Sequence, residues 1–450
     1  MARLTVSAEN AHYLATEDQK PFFMLGDTAW ELAHKLTQKE AELYFETRAK
    51  QRFNMIWINI LPECDCLRIP DERGLFPLID NDPTRLNPAY FEWFKELLEK
   101  AASRGLYVGV LPAWGDKVTP KWGAGPTIFT NPETSNAYGR LVAEQLGQFT
   151  NLLWVLGGDR PAKISKGSWS ESHAKNIGID PQSDWIPIWR GMANGIRDVL
   201  GKQALMTYHP EGGSVSTSQL IHNEEWLDMN CMQSGHGGGR DTEVWQYIER
   251  DLEILPPKPT FDGEPNYEDH PVAPWPTFNP KNGFYDDYDV RRQTWRSVFA
   301  GGCGVIYGHH SVWHFASDRA PWINHAKMPW TEAIHRPGAQ QMQHLRSFME
   351  EMFASGPLVP DQSLIVTETN NSSEHCRLIR TKDQRHIALY CPHAAPVVLH
   401  TSDIESLHPQ WFDPRTGKRS TAIGETANGV TKFGKPNDID WVLELTKKSS

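Results

Sequence analysis

The sequence predicts an α/β fold: a (β/α)8 barrel followed by a small C-terminal antiparallel β-sandwich. Three observations carry that expectation. Eight short apolar runs, each ending in a polar or aromatic cluster, recur along the first roughly 350 residues, about the length of one such barrel. Helix-periodic segments fill most of the gaps between them. After Phe353 the pattern changes to short β-prone runs punctuated by Pro357 and Pro360. The competing doubly wound sheet would call for a Gly-x-Gly-x-x-Gly after the first strand, and none is present.

The runs are Pro21–Asp27, Met55–Leu61, Leu106–Trp114, Leu152–Asp159, Ala204–Pro210, Met229–Gly235, Pro259–Glu264 and Gly304–His310. They are almost continuously apolar, as strands buried on both faces of a parallel sheet must be. Thr37-Gln-Lys-Glu40 is a capping box opening a helix to about Arg52, and Asn87-Pro88 starts another with proline in the first turn. Further helices are expected near Glu133–Phe149, Asp184–Leu200, Thr242–Leu255, Asp287–Gly301 and Pro337–Phe353. Between His209 and Met229 there is room only for a short one. In the C-terminal part, Leu364–Thr367, Cys376–Arg380, His386–Tyr390, Val397–Leu399, Gln410–Asp413 and Asp440–Leu445 read as strands, with Asp413-Pro-Arg-Thr-Gly417 as a turn. The expected division is a barrel over residues 1–355 and a sandwich over 356–450.

Composition narrows the function. There are 45 basic and 56 acidic side chains, a net charge of −11, and no basic patch. That argues against nucleic acid and anionic membrane as partners. No stretch has the length of a membrane span, and the first residues lack an apolar signal core, so the cytoplasm is expected. The six cysteines are too sparse and irregular for a disulfide framework, and Cys64-Asp-Cys66 has no second pair to complete a structural metal site. The 18 tryptophans exceed what packing alone calls for, and flat apolar rings suit the faces of sugars.

Barrel active sites lie at the C-terminal ends of the strands. Those ends carry Asp27, Glu63, Trp114, Asp159, His209, Gln233, Glu264 and His309. Asp159 follows Leu-Gly-Gly and Glu264 follows Phe-Asp-Gly, so each apolar run stops abruptly at a carboxylate with glycine keeping the mouth open. Strands four and seven lie across the barrel from each other, and two carboxyls flanking a ligand are what glycosidic bond cleavage requires. Either acid would equally serve by pairing with an arginine such as Arg160 or by capping a helix. Trp30, Trp114 and Trp313 are placed to stack on a sugar, and Asp27, His209, Gln233 and His236 to bind its hydroxyls. A rival reading is a metal-dependent barrel hydrolase using His309, His310 and His314 with His209 and His236. Its first strand, ending Gly26-Asp27-Thr28, supplies one carboxylate at most. A non-catalytic carbohydrate-binding protein is the third reading, and it has no need of paired strand-end acids. No cofactor is expected.

Several blocks in order resemble the apiosidase-like glycoside hydrolase family: Pro21-Phe-Phe-Met-Leu-Gly-Asp-Thr-Ala-Trp-Glu-Leu32, Arg52-Phe-Asn-Met-Ile56, Leu153-Trp-Val-Leu-Gly-Gly-Asp-Arg160, Asp262-Gly-Glu-Pro-Asn-Tyr-Glu268 and Tyr307-Gly-His-His-Ser-Val-Trp313. Trp411-Phe-Asp-Pro-Arg-Thr-Gly417 and Asp440-Trp-Val-Leu443 resemble its accessory C-terminal domain, which carries a collagen-binding label. The resemblance implies a glycosidase acting on pectin side chains, with apiosyl linkages the characterised case. It places the general acid at Asp159 and the second carboxylate at Glu264, with Arg160, Tyr307 and His309 in the matching blocks as further substrate contacts. Family members acting on polysaccharide are usually exported. The missing signal therefore favours an imported oligosaccharide or small glycoside as substrate.

Overall fold

A computed structural model describes residues 1–213, 215–319, 321–366, 372–393 and 395–447. Eight parallel strands form the barrel: β1 Met24–Thr28, β2 Met55–Asn59, β3 Tyr107–Leu111, β4 Leu152–Gly157, β5 Met206–His209, β6 Asn230–Met232, β7 Thr260–Asp262 and β8 Gly304–Tyr307. Every residue in them is buried. The ladder runs unbroken from β5 back through β1 to β8, β7 and β6. The seam between β5 and β6 closes differently: the Asp228 and Met229 N–H groups donate to the Met206 carbonyl, and the Thr207 hydroxyl donates to Met229.

Strand side chains alternate between two cores, as a period of two dictates. Ile56, Ile58, Val108, Val110, Trp154 and Leu156 face the helix layer. Met55, Trp57, Tyr107, Leu111, Leu153 and Val155 face inward. The helices are α1 Gln38–Lys50, α2 Pro88–Ala102, α3 Pro132–Leu146, α4 Ile186–Leu200, α5 Thr217–Ile221, α6 Val244–Leu252, α7 Asp287–Phe299 and α8 Pro337–Ser355. The Thr37–Glu40 capping box opens α1, Pro88 lies in the first turn of α2, and α5 is the short helix expected of the fifth unit. Among the described residues no helix is long and apolar enough to cross a membrane.

Two features depart from expectation. Pro21–Phe22 is not part of β1; it pairs antiparallel with Leu14–Thr16, which in turn pairs with Leu4–Val6. This small sheet adds Leu4 and Leu14 to the inner core at the N-terminal end of the barrel. An additional helix, Trp169–Ile177, lies between β4 and α4, opened by the Ser168 hydroxyl on the Glu171 N–H and ended by Gly178 at φ 69°.

The C-terminal part is a two-sheet β-structure. One sheet orders β9 Leu358–Pro360, β10 Arg377–Thr381, β11 His386–Cys391, β17 Trp441–Lys447, β13 Leu407–Phe412 and β14 Arg419–Thr421. The other orders β12 Val397–His400, β16 Val430–Phe433 and β15 Gly424–Ala427. Thr367, in the expected Leu364–Thr367 strand, lies outside the described residues; Gln362–Leu364 forms a short 3-10 turn. Leu378, Leu389 and Leu443 fill the sandwich core, while Ile379, Ala388, Tyr390 and Val442 on the opposite face join the barrel core with Trp295 and Phe348. Across this junction Arg291 of α7 forms a bidentate pair with Asp440 at 2.9 Å on both arms, and the Tyr390 hydroxyl donates to the same carboxylate.

Candidate active site at the C-terminal mouth of the barrel

The end of β4 is built by backbone that only glycine adopts freely. Gly157 and Gly158 have φ of 84° and 132°, and Asp159 follows at 46°. A Cβ on Gly157 would sit 2.3 Å from the His209 carbonyl oxygen, and one on Gly158 would sit 2.6 Å from the Trp114 ring. This turn presses the chain against β5 and Trp114. It brings the Asp159 N–H to His209 Nδ1 at 3.0 Å.

That bond determines the chemistry of the imidazole. A ring whose Nδ1 accepts a backbone proton carries its own proton on Nε2. His209 Nε2 lies 3.1 Å from Glu264 Oε2. His236 repeats the arrangement: its Nδ1 accepts the Tyr267 N–H at 3.3 Å, and its Nε2 lies 3.2 Å from Glu264 Oε1. Each oxygen of Glu264 therefore faces an imidazole Nε2, and the His236 contact is a hydrogen bond. The Tyr267 hydroxyl, which accepts the Trp30 indole N–H at 3.0 Å, also lies against Glu264.

The two carboxyls are driven in opposite directions. Burial would raise Glu264, but the His209 and His236 donors overcome it and hold the carboxyl down at about 2. Asp159 is raised above the ordinary range, first by its low-dielectric surroundings and then by the negative charge of Glu264, against the pull of Arg160 and His209. The Asp159 side chain is 38% exposed and Glu264 only 9%, so the acid on β4 is the one open to the mouth. Arg160 donates to Asp159 at 2.7 Å and to Glu63 at 2.5 Å, and its Nε is held by the Trp122 carbonyl.

Eight of the expected site residues converge here: Asp159, Glu264, Arg160, His209, His236, Gln233, Trp30 and Trp114. Gln233 lies beside Asp159 and counters the rise of its carboxyl. Trp30 and Trp114 have ring centroids 5.0 Å apart and pack beside His209. Trp313 lies on the β8 loop, partly buried and edge-on to His314.

Four residues expected to touch substrate are fully buried: His209, within the cluster, and Asp27, Tyr307 and His309, outside it. Asp27 is fully buried and pairs with Arg48 of α1 at 2.6 Å and with the Tyr44 hydroxyl. Tyr307 is fully buried, donating to Glu268 at 2.6 Å under the Arg48 guanidinium. His309 is fully buried, with Nε2 3.1 Å from Asp269 and Nδ1 on the Ser311 N–H. Their strand-end positions turn the side chains toward the helix layer or bury them against partners, leaving no surface for a ligand. His310 Nε2 donates to the Asn324 carbonyl at 2.7 Å. Among the described residues no group of three or more His, Cys, Asp or Glu is placed to hold a metal ion.

Sequence reasoning missed four residues of the site. Tyr267, three residues past Glu264, lies in a block that drew attention only for its acids. Trp57, fully buried, packs across the barrel as its floor; a Cβ on Gly109 would come within 2.2 Å of its ring. Asp262, two residues before Glu264, accepts from the Ser234 hydroxyl at 2.5 Å, and burial pushes its carboxyl up to about 7. Glu211, two residues past His209, accepts from the Ser170 hydroxyl at 2.8 Å; burial pushes it up to about 7.

A closed parallel barrel with carboxyls from β4 and β7 at one mouth is the architecture of a glycoside hydrolase. Residues 8–354 match the family model "Apiosidase-like, catalytic domain", and residues 359–446 match "Putative collagen-binding domain of a collagenase". The chain belongs to the apiosidase-like family, and the enzyme is a glycosidase. A solved structure described as a glycoside hydrolase is 28% identical over 100% of this chain and 98% of its own, with a TM-score of 0.84. A glycoside hydrolase of family 5 from Bacteroides vulgatus is 27% identical over 99% and 93%, with a TM-score of 0.82. An exo-β-1,4-mannosidase from an Opitutaceae bacterium, 16% identical over 78% and 63% with a TM-score of 0.51, shares the fold. A search of the curated proteins gives no match.

Proposed function

We propose that the enzyme hydrolyses plant-derived glycosides of the pectin side-chain type, apiosyl linkages among them, by a retaining mechanism. Asp159 serves as general acid and base and Glu264 as nucleophile. The observation that carries this reading is the opposite displacement of the two carboxyls. Glu264, depressed to about 2 by two imidazole N–H groups, is an anion throughout the working pH range. Asp159, raised and open to the mouth, is the group able to keep a proton for the leaving oxygen. In the first step the Asp159 proton passes to the glycosidic oxygen as Glu264 attacks the anomeric carbon. In the second, the Asp159 carboxylate takes a proton from water as that water displaces Glu264. The substrate class is supported by the family match; the sandwich, pinned by Arg291–Asp440, is read as a brace for the barrel.

The test is a panel of aryl and oligomeric apiosides, arabinosides and xylosides. On the substrate turned over, Asp159→Asn and Glu264→Gln should each lower kcat/KM by at least 10²–10⁴-fold, the range for removing general acid–base groups, with the fold intact. Near-normal turnover by either variant ends that assignment. A first-formed product of inverted anomeric configuration, seen by proton NMR, ends the retaining assignment alone.

A further inference from the structure

The sandwich holds a cysteine pair that glycoside hydrolysis does not use. In the antiparallel register of β10 and β11, Arg377 faces Tyr390 and Leu378 faces Leu389, so the next residues outward, Cys376 and Cys391, are directly opposed. Opposed residues in such a ladder have Cα atoms about 4.5 or 5.5 Å apart, inside the span a disulfide bridges. Both side chains point into the same sandwich core, and both thiols are free. The two thiols lie close enough in that core to perturb each other's ionisation.

The surroundings favour ionising one of the two. His393 Nε2 lies 3.5 Å from Cys376 Sγ. Its Nδ1 accepts the Ala395 N–H at 3.0 Å, so the proton sits on Nε2, aimed at the sulfur. The Lys435 ammonium adds positive charge beside both thiols. The neighbouring Cys391 thiol first, then His393 and Lys435, lower Cys376 to about 6 against the effect of burial, while burial raises Cys391. Cys376 is 4% exposed and Cys391 not at all, so a very small oxidant reaches Cys376 first.

We propose that Cys376 and Cys391 are an oxidisable dithiol that hydrogen peroxide converts into a cross-strand disulfide within the accessory sandwich. The Cys376 thiolate attacks one peroxide oxygen; the O–O bond breaks, and hydroxide leaves and takes up a proton as water. This gives a sulfenic acid on Cys376. Cys391 then loses its proton and attacks Cys376 Sγ; the S–O bond breaks, and the departing hydroxide takes that proton as a second water. Two thiols are oxidised to one disulfide, and one peroxide is reduced to two waters.

The test uses the full-length protein, treated with hydrogen peroxide, then denatured, alkylated with iodoacetamide and mapped by mass spectrometry. The expected product is a Cys376–Cys391 cross-linked peptide that disappears on reduction, with Cys64, Cys66, Cys231 and Cys303 still alkylated. The Cys391→Ser variant should stop at a Cys376 sulfenic acid that dimedone traps, and His393→Phe should slow cross-linking about tenfold by removing the donor that favours the thiolate. Full alkylation of both cysteines in the treated wild-type protein, or a cross-link to another cysteine, overturns the proposal. That measurement needs no variant to fold.

Discussion

The two sides of the barrel mouth use the same residue types for opposite ends. On the β1–β8 side, Asp27 is met by Arg48 and Tyr44, Glu268 by the Tyr307 hydroxyl and the Gly338 N–H, and Asp269 by His309 and Arg336. Arg48 comes from α1, Gly338 from α8, and Arg336 from the residue just before α8, so those carboxylates tie the helix layer to the barrel. On the β4–β7 side, Glu264 lies between the Nε2 atoms of two imidazoles whose Nδ1 atoms are occupied by backbone donors, with the Tyr267 hydroxyl against it. A guanidinium cancels a carboxylate's charge. An N–H dipole stabilises the anion yet leaves its charge in the site, available to an electron-poor anomeric carbon. Burial under partners from the helix layer marks the scaffold carboxylates, whereas in the site Glu264 sits between two imidazoles and Asp159, although paired with Arg160, stays open to the mouth.

The largest effect should come from breaking the scaffold side. Arg48→Met leaves Asp27 buried without its cation and should destabilise the protein by about 3–5 kcal/mol, read by denaturant unfolding. Removing both charges together, in Arg48→Met with Asp27→Leu, should recover most of that loss, because the cost lies in the unpaired ion. A double variant as unstable as the single one would show that packing, and not charge, carries the contact.

Glu211 sharpens the comparison from the other side, since it is an acid near Asp159 that, among the described residues, has no cation hydrogen-bonded to it. Its carboxyl is raised from 4.5 to about 7, first by burial, with the Ser170 hydroxyl pulling it down and the Asp159 charge pushing it further up. A raised acid contributes stability fully below its unfolded value, and that contribution is lost as pH rises through the folded value. Glu211→Gln keeps an acceptor for Ser170 and never ionises. At pH 8 it should therefore be more stable than wild type by on the order of 3 kcal/mol, and at pH 4 no different. An equal gain at both pH values would mean that ionisation is not the cause. The same variant should move the alkaline limb of the activity profile to lower pH, because Asp159 loses a negative neighbour.

Much of this was legible in the chain. Gly157-Gly158-Asp159 and Asp262-Gly-Glu264 stand out because apolar runs stop at a carboxylate, and strand ends in a barrel converge on one mouth. The direction a strand-end side chain takes was not legible. Asp27 and Asp159 look alike in sequence and each meets an arginine, but Asp27 is sealed in by Arg48 and Tyr44 from a helix that the pattern locates without saying what its polar face meets, while Asp159 stays open. Ser168 as N-cap and Gly178 at the end are the sequence signals of the additional helix, but no apolar run lies between them to mark it. The imidazole orientations depend on backbone N–H groups that reach them only after the Gly157–Gly158 turn forms, so no spacing rule reveals them.

The finest test asks whether the His236 contribution is a dipole or a charge. Hydrogen bonds to a carboxylate contribute about 1.5–3 kcal/mol, so His236→Phe should lower kcat/KM by roughly 10–150-fold while the fold survives. Glu264 would then be less well held as an anion. Its pKa would rise from about 2, and the acid limb of the activity profile would move to higher pH. His236→Gln separates the two explanations, since a side-chain amide offers an N–H donor and can carry no charge. If a dipole is what Glu264 needs, the glutamine variant should regain most of the activity and return the acid limb toward its original position. If it fares no better than phenylalanine, the imidazole must act as a cation, and the contrast between the two sides of the mouth collapses into two versions of one salt bridge.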